Sequence, residues 1–477
     1  MKNLKTNIIE FIPQNNIGNY CIEKVIPITL LVLSIVVLSC NDFVEVDPPE
    51  KFLISETVFD DPATVESTLA NIYYKMREQG LVSGRYGLSS IMGIYSDELD
   101  YYLFNTEYQE FYAHSVMSSN QLVTGWWSHA YNIIYASNDI ISGVKNSNAL
   151  REEEQNLFLG QALFIRAFMH SLLVNLYGDI PYIATTNYIE NNMVARIPEN
   201  VVYDNIIYDL VQAVSLLEGT QPTGERVIPS QATAKALLSR MYLYTKQYEL
   251  AEQIASELIS SFSLEQDITK VFLKDSSETL WQFKPNGITD MNTYEANEFV
   301  IQAVPGQTYA LSSQLVDEFE LNDLRLYHWV GSKSSEDGLT TLMFPYKYKA
   351  IFSETNALEY SILFRLTEQY LIRSESRANL GDTSGSLEDL NIIRKRAGLE
   401  DVTIISQGDL IEAILHERQV ELFTEFGQRW FDLKRLEMAD NILSPIKQNW
   451  KSTDVLLPIP ESELELNSNL RPQNQGY

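Results

Sequence analysis

From Asp61 to the end of the chain, apolar residues return every third or fourth position in one stretch after another. That period commits most of the backbone to amphipathic α-helix. Asp61-Pro62 ahead of ATVESTLANIYYKM supplies an acidic cap and a first-turn proline, and Val65, Leu69, Ile72 and Met76 form the stripe to be buried. LVTGWWSHAYNIIYASNDII repeats the pattern, with Trp127, Tyr131, Ile134 and Asn138 on one face and Trp126 facing elsewhere. In EEQNLFLGQALFIRAFMHSLLVNLYGDIPY the stripe is Leu157, Phe164, Phe168 and Leu172, and Gly178 with Pro181 ends the helix. ENVVYDNIIYDLVQAVSLLEG closes at Gly219.

Two stretches read as helix-turn-helix. PSQATAKALLSRMYLYTKQYELAEQIASELISS turns at Lys246-Gln247, and RLTEQYLIRSESRANLGDTSGSLEDLNIIRKRAGL turns between Gly381 and Gly385. Both resemble tetratricopeptide hairpins, whose repeat is ~34 residues and which stack to bury a shared core. The expected fold is mainly α, a tetratricopeptide-like scaffold with irregular loops and a few short strands. Its parts are a helical segment over 61–263, a loop-rich insert over 264–357 and a second helical segment over 358–477. Within the insert, HWVGSKSSEDGLTTLMFPYKYK predicts a loop and a short strand pair. An earlier stretch, SGRYGLSSIMGIYSDELDYYLFNTEYQEFY, is similarly irregular and rich in tyrosine. Long irregular segments inside a compact chain carry function more often than helices do, so these two regions hold the candidate site.

Charge narrows the function classes. The chain has 477 residues and a formal net charge of −29, which repels phosphate backbones and excludes a nucleic-acid partner. It also argues against a polybasic membrane-surface mode. Cys21 and Cys40 are the two cysteines.

Cys40 stands at a seam. Val25–Leu38 is an uncharged apolar run of 14 residues behind Lys24, too short for a typical ~20-residue span and suited to the core of a secretory signal. No other segment reads as apolar enough to cross a membrane. Val37-Leu38-Ser39-Cys40 resembles a bacterial lipobox, in which a small residue admits the peptidase and the thiol accepts a diacylglyceryl group. Residues 1–39 are therefore expected to be removed. One cysteine then remains and no internal disulfide is possible. Several acyl chains at ~0.8 kcal/mol per buried methylene anchor a protein without a spanning helix. NDFVEVDPPEKF follows, and its acid and proline predict an extended tether over 40–60.

Signatures of catalysis are missing. The chain shows no glycine-rich phosphate loop, GxSxG elbow or HExxH pair, and no cysteine cluster suited to zinc. One carboxylate cluster stands out in HERQVELFTEFGQRWFDLKR: Glu417, Glu421 and Glu425 at i, i+4 and i+8. Like charges at that spacing repel, so countercharges are required. Arg418, Arg429, Lys434 and Arg435 lie close in sequence, which predicts a structural ion-pair network bracing the last helices.

LYGDIPY (Leu176 to Tyr182), RLTEQYLIRSES, LNIIRKRAG, ERQVELFTEFGQRWFDLKR and the closing LLPIPESELELNSNLRPQNQGY follow in that order behind the lipidated cysteine. With these motifs the chain resembles the SusD-like (RagB/SusD) outer-membrane nutrient-binding lipoproteins from Cys40 to Tyr477. The resemblance implies a tetratricopeptide-based receptor at the cell surface, anchored in the outer membrane, with no enzyme activity and no cofactor. It implies a TonB-dependent transporter as partner and an oligosaccharide, or in some members a peptide, as cargo.

Sugar rings offer apolar faces ringed by hydroxyls, which aromatic faces and polar side chains satisfy together. Tyr101 and Tyr102 in SDELDYYLF, Tyr294 in ITDMNTYEANE and Trp329 in LYHWVGSKSSEDG are the expected stacking residues, with Arg85 and Asn292 as hydroxyl partners. Trp127 and Tyr131, on a helical stripe, read as core, as do Trp281, Trp430 and Trp450. A non-catalytic helical scaffold and a hydrolase with a hidden carboxylate pair are the alternatives from other classes.

Overall fold

A computed structural model of the chain describes residues 58–220, 223–285, 292–352, 357–404 and 406–477. The leader, Cys40 and the tether up to residue 57 lie outside these residues.

Asp61 caps the first helix, α1 (Pro62–Glu78), its carboxylate accepting from the Ala63 N–H at 3.0 Å. The tether's last residues are not extended. Phe59 is buried against Gly143, where any β-carbon would strike its ring, and Asp60 accepts a hydrogen bond from Ser147 at 3.0 Å. α2 (Leu88–Tyr95), β1 (Leu99–Tyr101) and α3 (Thr106–Tyr112) precede two long helices, α4 (Gln121–Asn146) and α5 (Glu152–Tyr177). α5 is long and apolar enough to cross a membrane, which corrects the expectation that no segment after the leader is. From Phe158 to Tyr177 that helix is buried, packed against α1, α4 and two later helices, so it is the central core helix. A short α6 (Tyr188–Asn191) leads to α7 (Glu199–Leu216), which lies along α5.

The first hairpin is α8 (Gln231–Tyr244) and α9 (Tyr248–Ser261). Lys246 takes a left-handed φ of 59° at its turn, and the Gln247 N–H closes onto the Tyr242 carbonyl at 2.8 Å. The insert carries β2 (Thr279–Phe283), α10 (Tyr294–Phe299), β3 (Tyr309–Leu311), α11 (Ser313–Asp317), α12 (Leu324–His328), β4 (Val330–Ser334) and β5 (Thr341–Pro345), and β6 (Ser361–Arg365) follows just beyond it. The second hairpin is α13 (Leu366–Leu380) and α14 (Thr383–Arg396), with Gly381 at φ 86° in the left-handed position a helix end requires. α15 (Gln407–Leu422), α16 (Gln428–Arg435), α17 (Ala439–Leu443) and α18 (Glu461–Leu466) complete the described helices. The two hairpins stack: α9 packs on α13, and Arg377 reaches across to Glu252 at 3.1 Å. The mainly α, hairpin-based architecture is as expected.

The described strands form three antiparallel pairs. β4 and β5 are the predicted strand pair, with Val330 opposite Pro345 and Ser334 opposite Thr341. β2 and β6 close the base of the insert. β1 and β3 join the two irregular regions, aligning Leu99, Asp100 and Tyr101 with Leu311, Ala310 and Tyr309.

Glu417, Glu421 and Glu425 form a buried ion network, but not with the residues nearest in sequence. Glu421 meets Arg325 at 3.0 Å, Arg365 at 2.7 Å and also Arg396. Glu417 meets Arg325 at 2.6 Å, and Glu425 meets Arg365 at 2.8 Å and Lys347 at 2.6 Å. Arg418 instead pairs with Asp432, Arg429 with Asp97, Arg435 with Glu375 and Lys434 with Glu199. The reason is directional. α15 ends at Leu422, so Glu425 sits beyond it, and the three carboxylates meet cations from α12, the segment after β5, the β6–α13 junction and α14. Burial pushes the Glu421 carboxyl up, but Arg396, Arg365 and Arg325 together hold it well below the ordinary range.

Candidate functional site

The β1–β3 ladder sets the site. Just before it, the chain between α1 and α2 makes a tight loop. The Leu88 N–H donates to the Leu81 carbonyl at 2.8 Å, and Gly84 adopts a φ of 90° that a side chain would strain. Leu81 and Val82 are buried and anchor the loop, leaving Arg85 and Tyr86 at its tip. The Trp126 indole N–H, from α4, donates to the Tyr86 carbonyl at 2.8 Å and fixes the backbone there. The Tyr86 ring remains 46% exposed.

Behind that tip runs a seam of phenols. Tyr86 meets Tyr108 edge-on at 6.2 Å, Tyr108 packs on Tyr101 at 5.7 Å, and Tyr101 packs on Tyr309 across the ladder at 5.7 Å. Tyr102 continues outward, 39% exposed, with its N–H held by the Thr308 carbonyl at 3.0 Å. Leu103 and Phe104 beyond it are exposed. On the insert side, α10 presents Tyr294 and Glu298. Tyr294 donates from its hydroxyl to Glu78 at 2.6 Å, and Glu298 lies 4.0 Å from Arg85. Burial pushes the Glu298 carboxyl up to about 7, opposed by the Arg85 guanidinium. Tyr74, 44% exposed, lies on the same side under Arg77.

The structure therefore brings Arg85, Tyr101, Tyr102 and Tyr294 to one shelf, although their sequence positions span the chain's first half and its insert. Within it, Tyr101 is buried and supports its neighbours, whereas Arg85 and Tyr102 are open to solvent. Trp329 and Asn292 do not offer surface contacts. Trp329, expected on a loop, is 1% exposed at the end of α12; its indole N–H donates to the Ile268 carbonyl at 2.9 Å. Its ring lies against Phe272 at 5.2 Å and near Lys347, Arg365 and Arg396, so it roofs the ion network. Asn292, just before α10, is 4% exposed. Tyr86, Tyr108 and Glu298 went unnoticed in the sequence. The signal for Tyr86 is GRYG, a cation and an aromatic held between two glycines.

The shelf can do two things chemically. Exposed phenol faces stack on flat apolar surfaces, and the Arg85–Glu298 pair donates and accepts hydrogen bonds at its edge. Trp127, Trp281 and Trp430 are buried as expected, whereas Tyr131 and Trp450, also read as core, are only half-buried against it.

Comparison with known proteins places the chain. Residues 259–477 match the model of the SusD family, and residues 42–243 match a SusD-like model described as starch-binding associating with outer membrane. The chain is 29% identical to SusD-like protein P2 of Formosa agariphila over 94% of this chain and 99% of that protein. Among solved structures, a SusD superfamily protein from Bacteroides vulgatus shares the fold at a TM-score of 0.78, with 21% identity over 88% of this chain and 100% of the other. Surface glycan-binding protein A from Bacteroides fluxus does so at 0.72, with 22% identity over 87% of this chain and 99% of the other.

Proposed function

Since the chain belongs to the SusD family, we propose that it is a non-catalytic, cell-surface glycan receptor that hands oligosaccharide to a TonB-dependent outer-membrane transporter. The family description ties such chains to starch binding and the outer membrane, and the Bacteroides fluxus relative is named for glycan binding. Acyl groups on Cys40 would hold the receptor at the membrane while the tether gives it reach.

The observation that carries the reading is the shelf. Two regions about two hundred residues apart in sequence are zipped by β1 and β3, and the zipper's edge exposes Tyr86 and Tyr102 beside the Arg85–Glu298 pair. Phenols stack on the apolar faces of sugar rings, while the ion pair satisfies hydroxyls. The arrangement lies open, as a receptor that must release its cargo requires.

Native gels cast with soluble polysaccharides test this. The mature protein is expected to be retarded by at least one of amylopectin, galactomannan, xyloglucan, laminarin and alginate. Combining Tyr86→Ala with Tyr102→Ala is expected to weaken that retardation about tenfold. Unchanged migration in every gel overturns the proposal.

A further inference from the structure

A cleft lies on the other side of α4. Consecutive residues on a helix point about 100° apart, and Trp126 and Trp127 divide accordingly. Trp126 bonds the shelf loop, whereas Trp127 lines a cleft of about 580 Å³ that shares no lining residue with the shelf. That volume falls in the ~300–1,000 Å³ range of small-molecule sites.

Three rings on α4 form the cleft's long wall: Trp127, Tyr131 and Tyr135, at i, i+4 and i+8. Each step rises about 6 Å along the helix, so the rings make a ladder rather than a single platform. They are held in place. Trp127 stands edge-on to Tyr177 at 5.2 Å and lies 4.9 Å from Tyr131, whose hydroxyl donates to the Pro181 carbonyl at 2.8 Å. Tyr135, at the open end, is 47% exposed, Tyr131 is half-buried and Trp127 is 3% exposed.

The opposite wall comes from the chain before α7 and from the C-terminal segment, which are clamped together. Asn467 donates to the Val194 carbonyl at 2.8 Å and Asn469 to the Met193 carbonyl at 2.7 Å. Asn132 and Asn192 line the cleft with amides that make no hydrogen bond to the protein among the described residues. Glu463 is the one charged lining residue among those described, and no lysine or arginine lines the space. Burial raises its carboxyl, and the Trp127 indole acts against that shift.

We propose that this cleft is a second carbohydrate site, separate from the shelf, which takes a neutral glycan. Tyr135, exposed, and Tyr131, half-buried, offer the faces for stacking, Trp127 backs them from within the fold, and the free amides meet the sugar hydroxyls. A uronate or sulfate would face Glu463 with no cation to pair it, inside a chain of net charge −29. The shelf, by contrast, carries Arg85. The proposal rests on the reading of the chain as a glycan receptor and adds a second point of attachment, which holds a long polysaccharide more tightly than either site alone.

Isothermal titration of the mature protein with oligosaccharides of amylopectin, galactomannan, xyloglucan, laminarin and alginate tests it. The cleft variant combines Tyr135→Ala with Asn132→Ala; both side chains are exposed, and an unchanged thermal melt checks the fold. The shelf variant combines Tyr86→Ala with Tyr102→Ala. A neutral oligosaccharide is expected to bind the shelf variant still, and adding the cleft substitutions is expected to weaken that residual binding about tenfold. Alginate binding is expected to be the same in the cleft variant as in the unaltered protein. If the shelf variant loses all binding and the cleft variant none, the cleft is overturned and the receptor reading stands. Loss in the cleft variant alone supports the cleft and overturns the shelf. Absence of neutral-glycan binding by the unaltered protein overturns the cleft. So does a cleft variant that binds glycan normally but no longer retains a co-purifying membrane protein; the exposed Leu466 at the mouth would then serve a protein contact.

Discussion

His170 sits on the core helix α5 with no solvent contact, and both ring nitrogens are committed. Nδ1 faces the Arg166 carbonyl at 2.9 Å and so carries the proton, while Nε2 accepts from the Ile183 N–H at 3.1 Å. A second proton would break the latter bond and place a charge near Arg166. Burial is the main cause that pulls its pKa down to about 3, from 6.5 for a free imidazole. The unfolded chain therefore binds a proton that the folded chain refuses. This residue's contribution is fully present above pH 6.5 and is lost as pH falls toward 3, at up to about 1.4 kcal/mol per pH unit. Imidazole NMR is expected to find His170 neutral and Nδ1-protonated at pH 5; a titration near pH 6.5 would contradict the geometry. Trp329 makes the complementary point. Removing this buried indole by Trp329→Ala is expected to cost about 3–5 kcal/mol in urea unfolding. Glycan affinity per folded molecule should not change. Neither residue's burial is legible locally: HWVGS looks like a polar turn, and only the packing of Phe272 and the ion network over the ring turns it inward.

At the scale of elements, periodicity and caps located the long helices because those signals are local. Asp61 and Pro62 start α1, and Gly381 ends α13, each through its own backbone preference. Pairing is not local. The spacing of Glu417, Glu421 and Glu425 shows that countercharges are needed, yet their partners arrive from α12, β6, α14 and the segment after β5. Glu421→Gln is expected to destabilise the fold by about 3–5 kcal/mol, because it leaves Arg325, Arg365 and Arg396 short of buried negative charge. A denaturation midpoint equal to that of the unaltered protein would show the network to be dispensable. The same limit applies to α4. Its apolar stripe reads correctly as core at Ile134 and Asn138, both buried. The ring ladder ending at Tyr135 is equally regular, but whether a ring meets a neighbour or a cleft depends on what packs opposite.

For the molecule as a whole, the anchor and the receptor are separate matters. Cys40→Ala is expected to release the protein from the outer-membrane fraction while leaving glycan titration in solution unchanged. A variant that stays membrane-bound with unchanged mass would remove lipidation from the proposal. Composition and period alone determined that the chain is acidic, mainly helical and built partly from stacked hairpins, because charge, caps and the 3.6-residue repeat act over a few residues at a time. They also marked two irregular regions as the place to seek a site. Tertiary structure alone decided that those regions meet along β1 and β3, which tyrosines face solvent, which cations neutralise the buried carboxylates, and what packs against each of the two indoles that α4 turns apart. Those outcomes depend on contacts between segments far apart in the chain, where long-range packing sets exposure and charge pairing and no local pattern records the partner.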